Sequence, residues 1–81
     1  MPYINRASRE QLDHTGAIAL SPGELNYQIT MLMKTYLANH GKSYDTINEV
    51  LGALEAAKLE FYRRAVADYE DMKIVANGDV W

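Results

Sequence analysis

The stretch SYDTINEVLGALEAAKLEFYRRAVADYEDMKIVA, residues 43–76, decides the architecture, because it runs its whole length without a proline. Ser43 and Asp45 can each cap its start, and Thr46-x-x-Glu49 is a further capping box, so a helix begins between Ser43 and Thr46. It continues to about Ala76, where Asn77-Gly78 stops it and Asp79-Val80-Trp81 follows as a tail. At roughly 100° per residue, Ile47, Val50, Leu54, Ala57, Phe61, Ala65 and Met72 fall on one stripe. Leu51, Leu59, Tyr62, Val66 and Tyr69 form a second, turned from the first by roughly 60–150°. Glu49, Glu60, Arg64 and Asp71 mark the wet side. The two stripes together take up about half the circumference, more than one neighbouring helix covers.

The neighbour nearest in sequence is shorter. Ser21-Pro22-Gly23-Glu24 places Ser at N-cap, Pro at the first helical position and Glu at the third, a strong start signal. Helix two then runs to about His40, with Gly41 as its stop, and Leu25, Ile29, Leu32 and Tyr36 form its apolar stripe. Tyr27 and Met31 lie off that stripe and offer a second contact surface. At 1.5 Å per residue helix two is about 28 Å long and helix three about 47 Å. The short turn Gly41-Lys42-Ser43 makes them antiparallel neighbours, so helix three overhangs by more than three turns. The overhang carries Phe61, Tyr62, Val66, Tyr69 and Met72. Upstream, Ser8-Arg9-Glu10-Gln11 opens a short helix, Arg9 to His14, broken at Thr15-Gly16 before the apolar connector Ala17-Ile18-Ala19-Leu20. The expectation is an all-α chain forming a single helical domain over residues 1–81. It consists of a short N-terminal helix plus a long antiparallel helical hairpin, assembled as a homo-oligomer that covers the overhang.

Composition narrows the chemistry. The net charge of −3 argues against binding the DNA or RNA backbone, which rests on basic surface. With no cysteine there is neither a disulfide framework nor a thiolate metal site. No apolar run approaches the ~20 residues needed to span a bilayer, and Met1-Pro2-Tyr3-Ile4-Asn5-Arg6 lacks the regions of a signal peptide. A cytoplasmic chain without membrane contact is expected. His14 and His40 stand alone, with no second histidine at helical spacing, so no metal site is expected. No nucleophile–base–orienter set and no Gly-rich phosphate loop is present, so neither a catalytic residue nor a cofactor is nominated and the chain reads as a non-enzyme.

The residues that invite a ligand lie on or beside the second stripe: Asn48, Glu55, Lys58, Tyr62 and Tyr69, with Arg63 at its edge. Asn26 and Tyr27, at the start of helix two, join them as candidates. Polar groups among Leu51, Leu59 and Val66 need partners when desolvated. One reading is a pocket between protomers, in which Lys58 and Arg63 meet an anionic group while Tyr62 and Tyr69 stack on a ring or donate hydrogen bonds. The other is a helix pair Glu55–Lys58, with the tyrosines lying along an interface.

Several of these residues recur in a recognisable set. Met1-Pro2-Tyr3-Ile4, Gly23-Glu24-Leu25-Asn26-Tyr27, Tyr44-x-Thr46-x-Asn48-Glu49-Val50, Ala57-Lys58-Leu59-Glu60-Phe61-Tyr62-Arg63-Arg64, Tyr69-Glu70-x-x-Lys73 and Asn77-Gly78-Asp79-Val80 resemble a family of small uncharacterised proteins of bacteriophages and bacterial genomes. The resemblance spans nearly the whole chain, departing at Ala56, where a cysteine is expected, and at Trp81, where another aromatic is expected. It implies phage association and the cytoplasm of a bacterial host. The architecture is also similar to phage sponge proteins that sequester cyclic-nucleotide immune signals between protomers, although no sequence motif is shared. The expected function is therefore a small oligomeric phage-type binding protein that sequesters a nucleotide-derived immune signal. An interaction module gripping a host or phage protein is the alternative.

Overall fold

A computed structural model describes residues 4–15 and 18–81. The opening Met1-Pro2-Tyr3 and Gly16 of the expected Thr15-Gly16 break lie outside the described residues, while Thr15, the other residue of that break, is still helical. Among the described residues there are helices and no strand: α1 Arg6–Thr15, α2 Pro22–His40, α3 Tyr44–Phe61, a π turn Tyr62–Val66, and α4 Ala67–Asn77. None is long and apolar enough to cross a membrane. They group into two compact units, Met1–Thr46 and Ile47–Trp81.

In the first unit, α1 starts a turn earlier than its capping pattern predicts. Asn5, not Ser8, is the cap: its Oδ1 accepts the Ser8 N–H at 2.9 Å and its carbonyl accepts the Arg9 N–H at 3.1 Å. Asn and Ser cap about equally well, and the earlier start gains a hydrogen-bonded turn and the Arg6–Glu10 ion pair at 3.0 Å. The start of α2 agrees with its sequence signal. Ser21 Oγ accepts the Glu24 N–H at 3.1 Å, while Glu24 Oε1 accepts the Leu20 N–H at 3.3 Å. Ser21→Ala should therefore cost about 1 kcal/mol in a urea titration. A loss near zero would mean that Pro22 and Glu24 hold this turn unaided. At the other end, Gly41 takes φ 85° and donates its N–H to Leu37 O at 2.9 Å, ending α2 as expected.

α1 packs on α2, but not against the stripe that periodicity nominates. Among the described residues Leu12 and Tyr27 are the buried apolar ones, and the Tyr27 hydroxyl donates to Asp13 Oδ2 at 2.7 Å. Leu25 and Leu32 are exposed instead, at 53% and 74%. The physical reason is that α1 offers a carboxylate one residue past Leu12. A tyrosine can bury its ring there and still satisfy its hydroxyl, a hydrogen bond that Leu25, Ile29 and Leu32 cannot make.

Of the possible starts for the last helix, Ser43 is used: its Oγ accepts the Thr46 N–H at 3.1 Å and donates to Thr46 Oγ1 at 3.0 Å. The helix then passes through the π turn to Asn77, one residue beyond the expected end. It stops at Gly78, whose φ is 89° and whose N–H bonds Ile74 O at 2.8 Å. Phe61, Val66 and Ala67 all keep helical dihedrals, so the turn interrupts the hydrogen-bond ladder without breaking the helix. Its mark is the Ala67 N–H bonded to Tyr62 O, five residues back instead of four.

A π turn amounts to one residue inserted into α geometry, so everything downstream is displaced by about 100°. Tyr69 therefore leaves the Leu51/Tyr62 stripe and joins the stripe of Ile47, Leu54 and Phe61, and Val66 moves the same way. Within Ile47–Trp81 no residue is buried, and Phe61, Tyr69 and Met72 are exposed at 65%, 58% and 64%.

Candidate functional site

On α3 the backbone is regular up to Phe61, so its wheel can be read directly. Lys58, Leu51, Tyr62, Glu55 and Asn48 fall within an arc of roughly 80°. This brings together four of the expected ligand residues, all exposed. Arg63 sits at the edge of this strip. Tyr69 is removed from it by the π turn. Asn26 and Tyr27 belong to the first unit, where Asn26 Oδ1 accepts from Thr30 Oγ1 at 3.1 Å and Tyr27 is held by Asp13.

The charges on the strip are met locally. Lys58 Nζ lies 3.1 Å from Glu55 Oε1, three residues back, while Arg63 and Arg64 both reach Glu60, at 3.1 and 3.0 Å. These pairs are more than half exposed, and such pairs contribute little to stability. They nonetheless lower the positive potential that an anion would meet. Lys73 lies over the Tyr69 ring, 5.5 Å from its centre, a cation–π contact on α4.

Tyr62 has a partner that sequence spacing does not suggest. Its hydroxyl donates to Glu70 Oε1 at 2.6 Å, eight residues on. In an uninterrupted α-helix, residues eight apart diverge by about 80°, but the extra residue in the π turn makes them behave like residues seven apart, nearly in line. The hydrogen bond to Glu70, reinforced by its charge, raises the Tyr62 pKa above the ordinary phenol value. Glu70 and Asp13 are partners that reasoning from sequence missed. Only knowledge of the π turn or of the α1 packing face would have revealed them.

In the first unit, a cleft of about 80 Å³ is lined by Ser8, Gln11, Leu12, Ile18, Leu20 and Glu24. Ligand pockets are commonly several hundred Å³, so this one is too small for a nucleotide. Among the described residues, no three His, Cys, Asp or Glu side chains converge as a metal site.

No curated protein and no solved structure matches the chain. Residues 1–80 match the family described as a domain of unknown function, DUF6899, and the chain belongs to that family.

Proposed function

We propose that this chain acts by binding rather than by catalysis, as a homo-oligomeric helical interaction module whose last long helix is the contact surface. The observation that carries this reading is the exposure of Leu51, Leu59, Phe61, Tyr62, Tyr69 and Met72, each more than half accessible on a helix with no buried residue after Thr46. Apolar area of this kind marks interaction surfaces, and burying it contributes roughly 25 cal/mol per Å². With 19 residues, α2 is long enough to match the last long helix only to about residue 62. Further copies, and then a host or phage protein, cover the rest. Light scattering at micromolar concentration should give a multiple of the 9.2 kDa chain mass. A monodisperse 9.2 kDa species at high concentration would overturn the reading.

A second reading is favoured by the strip of Asn48, Glu55, Lys58 and Tyr62 running beside the apolar residues. Between copies it would hold a small anionic ligand of nucleotide type, as a phage protein sequestering an immune signal would. A thermal-shift panel of cyclic oligonucleotides and ADP-ribose derivatives tests it, since a ligand that binds only the folded state raises the melting temperature. Lys58→Ala should abolish any such rise. If no member of the panel shifts the melting temperature, the interaction module stands without a small ligand.

A further inference from the structure

The spacing of the apolar residues on the last helix becomes regular once the π turn is taken into account. Ile47, Val50, Leu54, Ala57 and Phe61 follow steps of three and four, the heptad spacing of a coiled-coil seam. Continued in plain α geometry, the next seam positions would be Arg64, Asp68 and Asp71, which would end the seam in charge. The π turn accommodates one extra residue at Tyr62–Val66, so the positions that follow in space are Ala65, Tyr69, Met72 and Ala76. The seam then stays apolar from Ile47 to Ala76, about four heptads. An exposed segment would need no such correction.

We infer that the segment Phe61–Ala76 is covered by the same segment of a second copy, running parallel and in register. This rests on the homo-oligomeric reading and deepens it by naming the partner surface. Two observations select the occupant. First, α2 has 19 residues and is joined to α3 by three, so even a fully formed hairpin leaves the seam beyond about residue 62 uncovered. Second, the flanking charges are self-complementary in one orientation only. Preceding the seam residues Phe61 and Tyr69 stand Glu60 and Asp68; following Ala57 and Met72 stand Lys58 and Lys73. In a parallel pair these two flanks face each other, so Asp68 meets Lys73 of the second copy on both sides of the seam. In an antiparallel pair each flank faces its own kind, acid against acid and lysine against lysine, which is unfavourable.

The chain has no cysteine, so single introduced thiols report the geometry without background. Phe61→Cys and Ala76→Cys stand near the two ends of the segment, about 22 Å apart along the helix. Under mild oxidation each variant alone should become a disulfide-linked dimer, while Asp71→Cys, on the wet side, should remain unlinked. Linkage only in an equimolar mixture of Phe61→Cys and Ala76→Cys would show an antiparallel pair and overturn the proposal. Absence of any linkage, in protein that light scattering shows to be oligomeric, would overturn it too while leaving the interaction reading intact. A monomer would end both. Circular dichroism checks that each variant keeps its helix. Ala65→Cys and Met72→Cys, seam positions farther inside, are read by the same criteria should an end variant lose helix.

Discussion

Leu12→Ala should detach α1 from α2 and lower the stability of the first unit by about 2 to 5 kcal/mol, the usual cost of emptying a buried leucine site. Few other apolar side chains share the load, because Leu12 and Tyr27 are the buried ones among the described residues. Small domains have a stability of roughly 5 to 15 kcal/mol, so the loss is a large fraction of the whole. α1 spans 10 residues, below the ~12–15 at which an isolated helix becomes marginal in water, and should melt once released. Tyr27 provides a second readout. Its hydrogen bond to Asp13, followed by burial and the Asp13 charge, raises its pKa above the usual phenol value. The folded state therefore favours the protonated phenol. That contribution is fully present below about pH 10, the ordinary tyrosine value, and is lost as pH climbs through the raised one. Tyr27 should ionise late in the parent protein, and its absorbance titration should return toward about 10 in Leu12→Ala. A variant that keeps both its urea midpoint and the late-titrating phenol would show that α1 is held by something other than this contact.

How far the fold was legible depended on whether the signal was local. The Ser21 cap, the Gly41 and Gly78 stops and the length of α2 all follow from side chains within four residues of the feature they set, and they stand where the sequence places them. Asn5 against Ser8 was a choice between two good caps three residues apart, settled by which start allows the longer helix. The face of α2 was not legible. A wheel ranks stripes by apolarity but says nothing of the neighbour, and here Asp13 gives Tyr27 a hydrogen bond that Leu25 and Leu32 cannot use. The π turn was hidden for a related reason: stripes drawn at a uniform 100° split Tyr69 from Phe61, and only the extra backbone residue reunites them. For the candidate site, the same error made Tyr62 and Tyr69 appear to share a face and concealed Glu70 as the partner of Tyr62. The grouping of Asn48, Glu55, Lys58 and Tyr62 was legible because the helix is regular across it.

Changing the chain length inside the π turn should have opposite outcomes in the two directions, and the difference should be large. Deleting Arg64 removes the extra residue and lets the helix run as plain α from Tyr44 onward. Ala65, Tyr69, Met72 and Ala76 then fall on exact heptad steps after Phe61, so the seam and the assembly should survive. Tyr62 and Glu70 would become seven residues apart in α geometry, which keeps their hydrogen bond within reach. The Arg64–Glu60 ion pair is lost, but an exposed pair of this kind contributes only about 0–1 kcal/mol. Inserting one alanine after Arg64 makes two extra residues where one turn absorbs one. The downstream helix is then rotated by a further step of about 100°, and charged residues replace Tyr69 and Met72 on the seam. Light scattering should show the deletion variant at the parent mass and the insertion variant dissociated, with circular dichroism confirming helix in both. Equal tolerance of the two changes would mean that no continuous seam crosses Tyr62–Val66. If the deletion dissociates the assembly, the π turn must serve through its own shape rather than as a correction of register.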